Sequence, residues 1–151
     1  MYKNILTQLP YAPPFLFVDR LLHIDEHGAE GSFTFRDDLD FYRGHFTHQP
    51  VTPGVILTEC CAQIGLVCFG LYLSNKTNTL SNFSQPQVAL SSAEMEFLKP
   101  VYPSETVTVK STLMYFRFQK LKCAVRMNNE KDELVCRGAL AGMIIPNSHG
   151  A

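Results

Sequence analysis

A long apolar run broken by one carboxylate and one amide limits what this chain can become. Between Val55 and Leu73 nearly every side chain is apolar, and the strongly polar exceptions are Glu59 and Gln63. Thr52-Pro53-Gly54 just ahead of the run reads as a helix opening. Threonine offers a capping hydroxyl, and proline suits the first helical position because an N–H there would be unpaired anyway. Inside the helix, Glu59 and Gln63 stand at i and i+4 and so share one face. A helix that is apolar on nearly all sides has to be enclosed by the rest of the chain.

The enclosing material is extended. Residues 9–14 are proline-rich and read as extended or turning. Residues 15–24 carry enough branched and aromatic side chains for a strand, Gly28 and Gly31 bound a turn, and residues 32–36 alternate as a strand with one covered face. Further strands are expected over residues 88–97, 105–118, 121–127 and 134–145, with a reversal at 128–132. The Ser-, Asn- and Thr-rich residues 74–86 read as a flexible loop. The expectation is one α+β domain over residues 1–151, in which an antiparallel sheet curls around one central helix. Roughly twenty helical residues span about 30 Å, the depth of a small domain.

Composition removes several functional classes. A formal charge of −1 and a pI near 6.5 give no global electrostatic case for nucleic acid or an anionic membrane, so any charged partner must use a local patch. Cys60, Cys61, Cys68, Cys123 and Cys136 are odd in number and match no zinc or redox spacing, so reduced thiols and no bound metal are expected. The uninterrupted apolar stretch 64–73 is about half a membrane span. With no secretory signal at the N-terminus, the expected location is the cytoplasm.

Three elements could do chemistry together. Glu59 lies about 7.5 Å along the helix from Gly54, within reach of a cavity meeting the opening turn. Its bland reading is a core carboxylate held by hydrogen bonds or by the positive helix end. His45 stands fourteen residues earlier, between Gly44, which permits close backbone approach, and Phe46, which excludes water. The N–H groups of Gly54 and Val55 favour an oxygen that gains negative charge. Base, acid and oxyanion donor suit removal of a proton next to a carbonyl, with the leaving group protonated by a second residue. His23, His27 and His149 take the structural reading common for lone histidines.

The segments LPYAPPFLFVDR (9–20), GHFTHQPVTPGVILTECCAQ (44–63) and FLKPVYPSE (97–105) resemble, in order, the FabZ-type 3-hydroxyacyl-[acyl-carrier-protein] dehydratases. That resemblance implies a hot-dog fold, a long helix wrapped by a curved antiparallel sheet. It makes His45 the base at C2 of a 3-hydroxyacyl thioester and Glu59 the acid for the departing C3 hydroxyl. It assigns the Gly54 N–H to the thioester oxygen and Gln63 to the orientation of Glu59, with Phe46, Val55 and Leu57 against the acyl group. It further implies a substrate linked through 4'-phosphopantetheine to an acidic acyl carrier protein, no cofactor, and a homodimer or trimer of dimers in which His and Glu of one site come from two subunits. Lys99, Arg117, Lys120, Lys122 and Arg126 are candidates for a basic landing patch for the carrier, although exposed strand charges also serve solubility.

Departures from the family pattern cluster around the site. Tyr11 replaces a common histidine, Thr47-His48 replaces Pro-Gly, and Thr52 stands where the family is apolar, with a hydroxyl able to cap the N–H groups the thioester needs. Cys60-Cys61 replaces a small-plus-apolar pair, and Ser104-Glu105 replaces Gly-Asp in a turn expected to survive in modified form. Two other functions compete: a hot-dog thioesterase, in which the helix carboxylate activates water, and a non-catalytic acyl-binding protein.

Overall fold

The computed structural model describes residues 2–77 and 87–145, with Lys3 as backbone only. A short helix α1 (Lys3–Gln8) precedes β1 (Arg20–Asp25) and β2 (Gly28–Thr34). The central helix α2 spans Gly54–Lys76, with its middle, Gln63–Cys68, wound as a wider π turn. Four long strands follow: β3 (Gln87–Phe97), β4 (Thr106–Arg117), β5 (Lys120–Asn129) and β6 (Leu134–Ile145). All six form one antiparallel sheet in the order β1-β2-β4-β5-β6-β3.

Strand alternation decides which face meets the helix. Val107, Val109 and Ser111 of β4 and Leu121, Cys123, Val125 and Met127 of β5 point inward and are buried, while the residues between them face out. They pack on Ile64, Leu66, Cys68, Phe69 and Leu71, which are buried around the helix. Although α2 is long and apolar enough to cross a membrane, it is mostly buried inside this sheet, as a core helix is. The helix is therefore enclosed in the manner its all-round apolarity predicts.

Several sequence expectations need correction. The strand expected over 15–24 begins only at Arg20; residues 15–19 are irregular, because their backbone groups are taken by α2 side chains described below. Gly28 and Gly31 do not bound a turn but sit inside β2, and the reversal falls at Glu26 and His27. Glycine is needed at position 28 for close approach: a Cβ there would lie 1.9 Å from the Ser111 carbonyl oxygen. The helix also runs past its expected end to Lys76, so residues 74–76 of the loop expected over 74–86 are helical; residues 78–86 lie outside the described residues. The turn carrying Ser104-Glu105 survives, with Ser104 in the left-handed region (φ 76°) and the Glu105 carboxylate accepting from the Tyr102 N–H at 2.7 Å.

Candidate active site

Glu59 projects from the second turn of α2, half-buried, and receives a hydrogen bond of 2.9 Å from Gln63 Nε2. Gln63 is fully buried and uses its whole amide: Nε2 also donates to the Phe15 carbonyl at 3.1 Å, and Oε1 accepts from the Phe17 N–H at 2.8 Å. The orientation of the carboxylate is thus tied to the irregular segment before β1. Burial pushes the Glu59 pKa up from its usual 4.5, and the Gln63 bond pulls partly the other way. A carboxyl of raised pKa is suited to keep its proton until a leaving group takes it.

Tyr11 belongs to the same neighbourhood, although its sequence position set it outside the catalytic pair. Burial and then the charge of Glu59 push its phenol up to about 12, and its ring packs 6.3 Å from that of Phe15. The only signal for it in the sequence was its substitution for a histidine.

His45 is held on a separate branch. Its Nδ1 lies 2.8 Å from the Val51 carbonyl, and the Val51 N–H returns a bond of 2.9 Å to the His45 carbonyl. A carbonyl only accepts, so Nδ1 carries the hydrogen, and Nε2 is the ring nitrogen left for another partner. The ring stacks on Phe46 at 4.0 Å between centroids. Phe46 is 58% exposed, and His48 is exposed as well. Within one chain no hydrogen bond or ion pair joins His45 to Glu59: the imidazole is bonded to the Val51 carbonyl and the carboxylate to Gln63.

The helix start itself departs from expectation in a useful way. Thr52 does not cap α2: its hydroxyl is buried and pairs with the Tyr42 hydroxyl, and the capping position belongs to Pro53. The Pro53 carbonyl takes the N–H groups of Ile56 and Leu57, while no protein group among the described residues accepts from Gly54 or Val55. Gly54 lines a cleft of about 320 Å³ together with Val51, Thr52, Leu57, Phe97, Leu98, Lys99 and Pro100. Phe97, at the end of β3, places its ring tip 3.4 Å from where a Cβ on Gly54 would be, so glycine and aromatic ring share one wall. Val55, the next residue, is 77% exposed. Among the described residues no cluster of three His, Cys, Asp or Glu side chains is placed to hold a metal ion.

A long helix cradled in a curled antiparallel sheet defines the hot-dog class. The chain is similar to a subunit in the dehydratase heterocomplex ApeI:P from Xenorhabdus doucetiae, with a TM-score of 0.77 at 10% identity over 95% of this chain and 92% of that one. It also resembles a hypothetical thioesterase with coenzyme A from Streptococcus pneumoniae TIGR4, with a TM-score of 0.60 at 10% identity over 97% and 98% of the two chains. Residues 9–136 match the FabA-like domain, and the chain belongs to that family. Among curated relatives, the 3-hydroxyacyl-[acyl-carrier-protein] dehydratase FabZ of Thermus thermophilus is 34% identical over 133 residues, covering 87% of this chain and 88% of the relative. The FabZ of Anaplasma marginale (strain Florida) is 30% identical over 134 residues, covering 85% and 88%.

Proposed function

We propose that this protein dehydrates 3-hydroxyacyl thioesters presented by an acyl carrier protein, yielding trans-2-enoyl thioesters in fatty-acid or related acyl-chain biosynthesis. The observation that carries the reading is the Glu59–Gln63 pair, a half-buried carboxyl of raised pKa fixed by a buried amide one turn inside an uncapped helix start. In this reading the thioester oxygen accepts from the Gly54 N–H, which offsets the negative charge that develops there. His45 Nε2 removes a C2 proton, Glu59 gives its proton to the C3 hydroxyl, and water leaves as the C2–C3 double bond forms. Proton transfer from His45 back to Glu59 resets the site. The acyl group lies along Phe46, Val55 and Leu57.

A complete site is proposed to need two copies of the chain. His45 and Glu59 are not joined within one, and β3 offers the eleven-residue outer edge of the sheet, with Phe97 and the Gly54 cleft at its end. An unpaired edge of this length is a template for strand pairing. We therefore favour a homodimer, alone or as a trimer of dimers. Five buried thiols with no disulfide suit a reducing compartment, consistent with the cytoplasm.

The test is to incubate the protein with a 3-hydroxyacyl thioester and follow loss of water by mass together with release of free thiol. Enoyl thioester formation is the expected result. Thiol release without it would replace this reading by the thioesterase one, and neither change by an acyl-binding role.

A further inference from the structure

The β4–β5 hairpin ends in a feature that neither the core nor the candidate active site explains. Its two-residue turn is Phe118-Gln119, with φ of 53° and 63°. Turns with both central residues left-handed strongly favour Asn-Gly or Asp-Gly, and a bulky aromatic there is strained. Phe118 gains no packing in return, since it is 89% exposed, the most exposed large apolar side chain among the described residues. The Gln119 carbonyl accepts the Ile144 N–H at 2.9 Å and ties the turn to β6, but that bond asks nothing of the Phe118 ring. Strain retained at an unpacked aromatic points to selection for something outside the chain.

The surroundings identify the chemistry. Arg117 and Lys120 face each other across the strands just behind the turn, Lys122 follows, and Met143, 43% exposed, stands opposite Lys120 on β6. From 106 to 129 the sequence carries Lys110, Arg117, Lys120, Lys122 and Arg126 and not one Asp or Glu, in a chain of net charge −1. Among the described residues none of Arg117, Lys120 and Lys122 has an ion pair; the Arg117 guanidinium lies 4.7 Å from the centroid of the Tyr115 ring. Leu121 and Ile144 pack against Gly70 near the C-terminal end of α2, so the tip projects at the end of the helix opposite Gly54.

We propose that this hairpin tip docks on an anionic lipid surface, with Phe118 entering the headgroup boundary and Arg117, Lys120 and Lys122 meeting the lipid phosphates. A lone aromatic at a projecting, acid-free basic tip suits a soft interface, where rings of this kind sit and each cation is attracted separately. A protein partner would need a pocket shaped to receive the ring. The contact lies away from His45, Gly54 and Glu59, so the inference goes beyond the dehydratase reading and stands or falls without it.

The test is sedimentation of the full chain with vesicles of phosphatidylcholine containing about a third phosphatidylglycerol, against phosphatidylcholine alone, over a salt series. The expected results are binding to the anionic vesicles at least about tenfold tighter than to neutral ones, declining with salt. F118N should weaken that binding about tenfold while raising Tm by about 2–4 °C through relief of the turn, with turnover of a soluble thioester unchanged. R117Q/K120Q should weaken it by a similar factor. Equal binding to neutral vesicles, no binding to either, or an unaltered F118N would overturn the proposal. A change of oligomeric state in F118N without lipid would also overturn it, assigning the tip to a contact between copies.

Discussion

Gln63 Nε2 lies 2.9 Å from Glu59 Oε2, while its Oε1 lies 2.8 Å from the Phe17 nitrogen, so one buried amide ties the carboxylate of α2 to the segment leading into β1. Replacing it disturbs both partners. Q63L leaves the Phe17 N–H without an acceptor and should lower stability by about 1–3 kcal/mol in urea denaturation. It also removes the bond that lowers the Glu59 pKa, so the alkaline limb of kcat/KM against pH should move to higher pH. A limb that stays in place would remove Glu59 as the titrating acid.

The raised pKa of Glu59 makes stability depend on pH in a defined sense. Between the ordinary value of 4.5 and the higher folded value, the native state holds more protons than the unfolded chain. This group's effect on stability is therefore most favourable below 4.5 and declines as pH rises through the folded pKa. E59Q keeps an oxygen for Gln63 and abolishes that ionisation. It should be more stable than wild type at pH 7–8, by a margin that shrinks toward about pH 4.5, while turnover falls by roughly 10²- to 10⁴-fold. Thermal melts across pH and one activity series check both halves.

Co-expression separates a site shared between chains from one within a chain. H45A and E59Q should each be nearly inactive alone. Expressed together, they should recover about a quarter of wild-type activity, because half the dimers are mixed and each mixed dimer has one intact site. Recovery no greater than the single variants would place His45 and Glu59 in the same chain.

Thr52 tests the helix start from the other side. Its hydroxyl is buried against that of Tyr42. T52V should cost about 1–3 kcal/mol by stranding the tyrosine hydroxyl, and T52S should recover most of it. If Thr52 served instead as the cap of α2, the loss would come with reduced helix content in circular dichroism.

G28A places a methyl group 1.9 Å from the Ser111 carbonyl oxygen. It should destabilise by about 3 kcal/mol or more and speed amide exchange in β1 and β2 before the other strands. A mild effect would mean that β2 and β4 can separate locally at little cost.

The four strands after α2 were legible within a residue or two, since Val107, Val109 and Leu121 alternate with polar neighbours on a sheet covered on one face. The helix was legible because apolar side chains all round it permit only a buried position. Residues 15–19 were not: Phe15, Leu16 and Phe17 have strand composition, but Gln63, more than forty positions away, takes the backbone bonds that a strand would have used. Long-range competition of that kind leaves no mark in a local window. The Tyr11 neighbourhood, the Tyr42–Thr52 pair and Phe97 over Gly54 were hidden for the same reason, each being set by tertiary packing. Glu59, Gln63 and Gly54 stood out because a polar pair or a helix opening inside an apolar run is conspicuous in any context.

The π turn at Gln63–Cys68 works like a spacer washer between two halves of one shaft. A wider turn holds about one residue more than an α turn, so Phe69–Lys76 is set back by about 100° from the phase that Glu59 would predict. Deleting one residue there would let the helix rewind regularly. Rewinding with every residue kept would instead turn the C-terminal half, gripped by Leu121 and Ile144 at Gly70, against the half that carries Glu59; loss of one residue cancels that turn. In this chain the aim of a carboxylate depends on residue count as much as on residue type.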